Sequence, residues 1–143
     1  MARIDFAFGA ADKLSQACQT TRRLYLAGHT LLVFCSDRPQ LKAFDQKLWA
    51  VDEAAFIPHV MAHDPLALNT PVILACENLT QVLGQVPADT WLLNLDEQCP
   101  PDTAALTRIL EIVSDDDSDK AQARARWRAY QLAGHDLRSH RLE

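Results

Sequence analysis

Hydrophobic positions along this chain fall into two patterns that alternate. Short apolar runs recur at Arg3–Phe8 (RIDFAF), Thr30–Cys35 (TLLVFC), Pro71–Cys76 (PVILAC), Trp91–Leu95 (WLLNL) and Ile109–Val113. A run this short and this continuously apolar predicts a strand covered on both faces. Between them lie stretches with a helical period. Asp12 to Ala27 places Leu14, Ala17, Cys18, Leu24 and Tyr25 near one face, with Gly28 as the stop. Ser36 or Asp37 predicts the N-cap of a second helix reaching about Trp49, with Pro39 in its first turn. Ile57–Val60 suggests a short strand, His63–Thr70 an irregular loop, and Pro100–Pro101 a turn followed by a short helix. The segment after His135 shows neither period, so residues 135–143 are expected to form a weakly ordered tail.

Alternating strands and helices with buried strands predict the α/β class. The expected architecture is a mostly parallel sheet flanked by helices, in one domain spanning residues 1–143. No repeat, low-complexity tract or linker divides the chain.

The last helix carries the most information. Across KAQARARWRAYQLAG, Lys120 to Gly134, a helical projection puts Lys120, Arg124, Trp127, Arg128 and Gln131 on one stripe. Ala121, Ala125, Ala129, Leu132 and Ala133 form another, small enough to pack closely on a core. Asp115, Asp116, Asp117 and Asp119 sit where a helix N-terminus favours negative charge, and Gly134 suits a C-cap. Cations around a large ring suit an acidic partner with an apolar anchor. The plainer alternative is a solvated arginine-rich face on which Trp127 covers neighbouring apolar surface.

Charge sharpens the contrast. Residues 120–141 hold six Lys/Arg against one Asp, a local +5, so a chain of net −5 leaves −10 for the remainder. That is a local binding surface, not general affinity for polyanions. It argues against a DNA strand binding along this helix, because a strand must run over more than one helix face.

Other chemistry is sparse. With four glycines the chain makes neither G-x-G-x-x-G nor a P-loop, and Gly9 after the first strand stands alone. His59 and His63 share zinc-compatible spacing, but the Glu of H-E-x-x-H is missing and Pro58 disfavours a helix there. Cys35 with Ser36, and Asp96 with Glu97, end strands without assignable partners. Cys18, Cys35, Cys76 and Cys99 lack ligand spacing and read as reduced thiols. No run reaches membrane-spanning length, and the N-terminus lacks the layout of a secretion signal. No catalytic constellation, metal site or cofactor is expected.

Leu48 to His59, LWAVDEAAFIPH, brings Trp49 and Phe56 together in a chain with only 7% aromatics. Such a pair is either a plug under a loop or an exposed hot spot; spacing alone favours the plug.

Here a resemblance enters. YLAGHTLLVFCSD, FDQKLWAVDEAAFIPH, PVILAC, WLLNL, PP…LTRILEIV and ARARWRAYQLAGHDL occur in order over nearly the whole chain, and together they resemble the chi subunit of bacterial DNA polymerase III holoenzyme. The LW…FIPH and arginine-helix segments are the specific ones. The resemblance implies a Rossmann-like fold without nucleotide chemistry and a non-catalytic adaptor of the clamp loader, working in the cytoplasm at the replisome. It implies one surface for the acidic, Phe-terminated tail of single-stranded-DNA-binding protein, at Val113, Lys120, Arg124, Trp127 and Arg128. It implies a second for the psi subunit, at Leu48, Trp49, Phe56, Pro58 and His59, which a DNA-repair helicase uses in place of psi. DNA would be met only indirectly. The competing reading is a small α/β enzyme or nucleotide-binding domain with a degenerate phosphate loop.

Overall fold

The computed structural model describes residues 2–51, 56–101 and 106–142. Among these are seven strands and four α-helices. In chain order they are β1 (Arg3–Ala10), α1 (Lys13–Leu26), β2 (Leu31–Phe34), α2 (Arg38–Ala50), β3 (His59–Met61), β4 (Val72–Ala75), α3 (Leu79–Leu83), β5 (Trp91–Asn94), β6 (Arg108–Ser114), α4 (Asp117–Leu132) and β7 (Asp136–Arg141). The strands form one sheet in the order β3-β4-β2-β5-β6-β1-β7, and every pairing is parallel. The expected α/β class holds, with a sheet parallel throughout.

The apolar runs explain the layers. Side chains alternate across a strand, so β2 sends Leu31 and Val33 to one face and Leu32 and Phe34 to the other. On the first face they join Ala17, Cys18 and Leu24 of α1 with Leu41, Phe44 and Leu48 of α2. On the second they join Leu79 of α3 with Ala123 and Tyr130 of α4. Aspartates start the three long helices. Asp12 accepts from the Leu14 amide, Asp37 from Gln40 and Asp116 from Asp119, satisfying N–H groups that lack intrahelical partners.

Two expectations are corrected. Residues 136–141 are not part of a weakly ordered tail: they pair with β1 from Arg3↔Asp136 to Phe8↔Arg141 as β7, the sheet edge. An edge strand needs backbone pairing more than apolar alternation, and its charged side chains guard the open edge. That is why periodicity missed it. The alanine stripe of α4 does not face the core either. Ala121, Ala125, Ala129, Leu132 and Ala133 are exposed, Leu132 to 90%, whereas Ala123, Arg126 and Tyr130 are buried. The ring of Tyr130 buries far more area than a row of methyl groups, and Arg126 answers a buried acid on β6, so these two set the roll of the helix.

The irregular loop over 63–70 contains a single 3₁₀ turn at Ala67–Asn69. The short helix expected after Pro101 falls on 102–105, outside the described residues.

Candidate functional site

The basic helix closes over the second sheet face, and a cavity of about 590 Å³ opens beside it. Val113, Lys120, Arg124, Trp127 and Arg128, the five residues expected there, all line it. Its floor is aromatic: Phe6 lies 5.1 Å from Trp127 and 6.0 Å from Tyr130 between ring centroids. Val113 and Phe6 are buried, and Trp127 is partly buried at the mouth. The rim is cationic. Among the described residues, none of Lys120, Arg124, Arg128 and Arg141 has an ion pair. A recess with an apolar floor and unpaired cations can take a ring and a carboxylate together.

Sequence reasoning missed Phe6, Phe8, Ser139 and Arg141, which also line the cavity. The two phenylalanines carried a signal, since period two puts them on one face of β1. Ser139 and Arg141 carried none, because they depend on β7 forming. Arg141 sits 5.7 Å over the Phe8 ring. Gly9 opens the mouth: its φ of +90° is a conformation side chains disfavour, and the β1–β6 register shifts there.

The helix is fixed from two sides. At its start Asp119 accepts from the Ser114 amide at 2.8 Å and the Ser114 hydroxyl at 3.0 Å, while Lys13 of α1 reaches it at 3.1 Å. Burial alone would raise the Asp119 pKa, but these donors and the Lys13 charge hold it below the ordinary carboxyl range. Beneath the helix, Arg126 meets Glu111 at 3.1 Å, and Glu111 also accepts from Tyr130 at 2.7 Å and Asn94 at 2.9 Å. Burial pushes the Glu111 carboxyl up against the opposing pull of Arg126, Asn94 and Tyr130. Arg126 is therefore no part of the surface charge.

The second predicted surface lies at the end of α2. Trp49 and Phe56 are 55% and 63% exposed with centroids 5.0 Å apart, so spacing misjudged them as a plug. Leu48 is buried beneath and Pro58 half-buried beside them. His59 is buried with its ring 4.7 Å from Trp49. Its Nδ1 lies 2.7 Å from the Ile57 carbonyl. Its Nε2 lies 2.9 Å from Asp45, at ion-pair distance without hydrogen-bond alignment. His59 thus props Trp49 from below with both ring nitrogens buried, while His63 is exposed.

The remaining candidates do not assemble. The Cys18 and Cys35 thiols are pushed up by burial to about 11, far from a reactive thiolate. Asp96 is taken by the Ser36 hydroxyl at 2.7 Å. Among the described residues, no three His, Cys, Asp or Glu side chains gather as metal ligands, and no helix is long and apolar enough to cross a membrane.

Comparisons with known proteins agree over the length of the chain. The family model for "DNA polymerase III chi subunit, HolC" matches residues 1–138. The Pseudomonas aeruginosa DNA polymerase III subunit chi is 30% identical, covering 99% of this chain and 98% of that protein. The subunits chi of Haemophilus influenzae and Escherichia coli are 28% and 29% identical over 85% and 84% of this chain, and 81% and 79% of their own lengths. With an α/β parallel sheet and the family's pattern matched from the first strand into the last, this chain belongs to the DNA polymerase III chi subunit family.

Proposed function

We propose that this chi subunit is a non-catalytic adaptor. Its α4 groove takes the acidic C-terminal tail of single-stranded-DNA-binding protein, and its Trp49–Phe56 patch takes the psi subunit, or a DNA-repair helicase in psi's place. The observation that carries the reading is the pairing of an aromatic floor with unpaired cations in one recess. The tail's terminal phenyl ring fills the space over Phe6, Val113 and Trp127. Arg124 and Arg128 grip the terminal carboxylate through charge-assisted hydrogen bonds, bidentate where the fork permits. Lys120 and Arg141 draw in the aspartates upstream.

A contact this small supports an affinity on the order of micromolar, weakened by salt. Several tails on one DNA-bound protein then raise the avidity. The psi surface rests on two exposed rings supported from below by Leu48 and His59, the kind of anchor that dominates interface energetics.

Calorimetric titration with an Asp-rich peptide ending in Phe tests the groove. The peptide binds, and removing its last residue abolishes most of the binding. A peptide that does not bind, or that binds equally well without its Phe, refutes the assignment.

A further inference from the structure

Behind the groove, on the opposite face of the sheet, lies a depression of about 410 Å³ that the adaptor reading does not use. We propose that it binds the phosphate backbone of single-stranded nucleic acid. Its centre is Asp5, whose carboxylate is nearly buried and receives Arg3 at 3.1 Å, Arg108 at 3.2 Å and the His140 Nε2 at 2.9 Å. Arg23 stands on the rim, whereas the Arg141 guanidinium lies over the Phe8 ring on the groove side. Arg3, Arg23 and Arg108 against this one aspartate leave a surplus of two positive charges even with His140 neutral, since the carboxylate of Glu111 is already engaged by Arg126.

Asp5 organises these cations without neutralising them. Arg108 uses only its Nε on Asp5, so its terminal nitrogens carry no hydrogen bond among the described residues. Its guanidinium lies 4.1 Å over the Trp91 ring, and His29 lies 4.2 Å from that ring. Guanidinium forks match phosphate oxygens, and the cluster of His29, Trp91 and Arg108, with its two rings tilted by 31°, offers an unpaired base a surface to stack on. An acidic peptide would use the forks but not the rings.

The objection to strand binding along α4 was that one helix face is too narrow. Here the arginines come from β1, α1 and β6, a breadth a strand can follow. The site stands independently of the tail groove and departs from the expectation that DNA is met only indirectly. Because it is one patch on an acidic chain, binding should be weak and confined to low salt.

Fluorescence anisotropy with a labelled oligothymidylate of about 12 nucleotides, at about 20 mM and then about 200 mM salt, reads the site. Wild-type protein binds at low salt and loses binding at high salt. Arg23→Glu, an exposed position, weakens binding by about fivefold or more with an unchanged melting curve. Arg108→Gln weakens it as well. Arg124→Glu leaves the oligonucleotide affinity unchanged while abolishing capture of the Phe-terminated peptide. That peptide arm reports on the groove separately, so each assignment can fail alone. No binding at low salt, equal binding by Arg23→Glu, or equal loss in Arg124→Glu overturns the proposal. So does a poly-aspartate peptide of matching charge that binds as tightly and is equally weakened by Arg23→Glu, which would make the depression an acidic-peptide site.

Discussion

The α4 groove and the Trp49–Phe56 patch are both built on aromatic rings, yet they differ in how the rings are used. In the groove the phenylalanine is floor, buried under Trp127, and the chemistry lies in cations contributed by α4 and β7. In the patch the rings are more than half exposed and close in sequence, with Leu48 and His59 buried among the described residues. A recess of the first kind recognises an end: a ring of the right depth followed by a charge at the right distance. A surface of the second kind recognises apolar area. The two should therefore part under salt, with groove binding weakening and patch binding nearly unchanged.

The largest effect should fall on what lies under the groove. Arg126→Ala leaves Glu111 buried without its cation, and losing one partner of such a pair costs about 3–5 kcal/mol. Chemical denaturation should show that loss. If stability is unchanged, Glu111 sits there protonated or reaches water. The patch should behave oppositely. Phe56→Ala removes an exposed ring, so melting should barely move while partner affinity falls by about 2 kcal/mol or more. Retention of psi in a co-purification would break the comparison, and a large drop in melting temperature would return these rings to the core.

Groove cations come next. Arg124→Ala or Arg128→Ala should each weaken the Phe-terminated peptide by about 1.5–3 kcal/mol in calorimetry, the worth of a hydrogen bond to a charged group, with no change in melting. An arginine variant that binds like wild type identifies that side chain as solvated charge only.

How far these regions could be read from sequence follows from what each depends on. The short apolar strands and the helices capped by Asp12, Asp37 and Asp116 are local matters of period and turn chemistry, and they were legible. So was the cation stripe of α4, because Lys120, Arg124 and Arg128 share a face whatever the helix packs against. The roll of α4 was not, since it depends on Glu111 of β6 finding Arg126 across the layer. Nor was β7, whose polar residues are held by backbone pairing with β1, which no side-chain period reports. The Arg141 rim of the groove and the Asp5 cluster disappeared with it, because both need residues 3–8 and 136–141 brought side by side. The exposure of Trp49 and Phe56 was legible only through the family resemblance: spacing cannot tell a ring that caps a core from one that stands above it.

The smallest effect tests what positions the groove. Asp119 ties the start of α4 to Ser114 of β6 and Lys13 of α1. Asp119→Asn keeps the shape but weakens these charge-assisted contacts, for a loss of about 1 kcal/mol at neutral pH. Because the folded pKa is depressed below the ordinary 3.8, the aspartate's contribution is fully present above that value and disappears as pH falls through the folded pKa. Denaturation curves of wild type and Asp119→Asn should thus differ at pH 7 and converge below 3.8. Peptide affinity at neutral pH should fall slightly in the variant, since Lys120 and Arg124 follow within two turns, whereas psi binding at the far patch should not move. A gap between the two curves that persists undiminished into strong acid would mean the side chain matters for its shape and not its charge, and the ion pair with Lys13 would then contribute nothing to setting the helix over the groove.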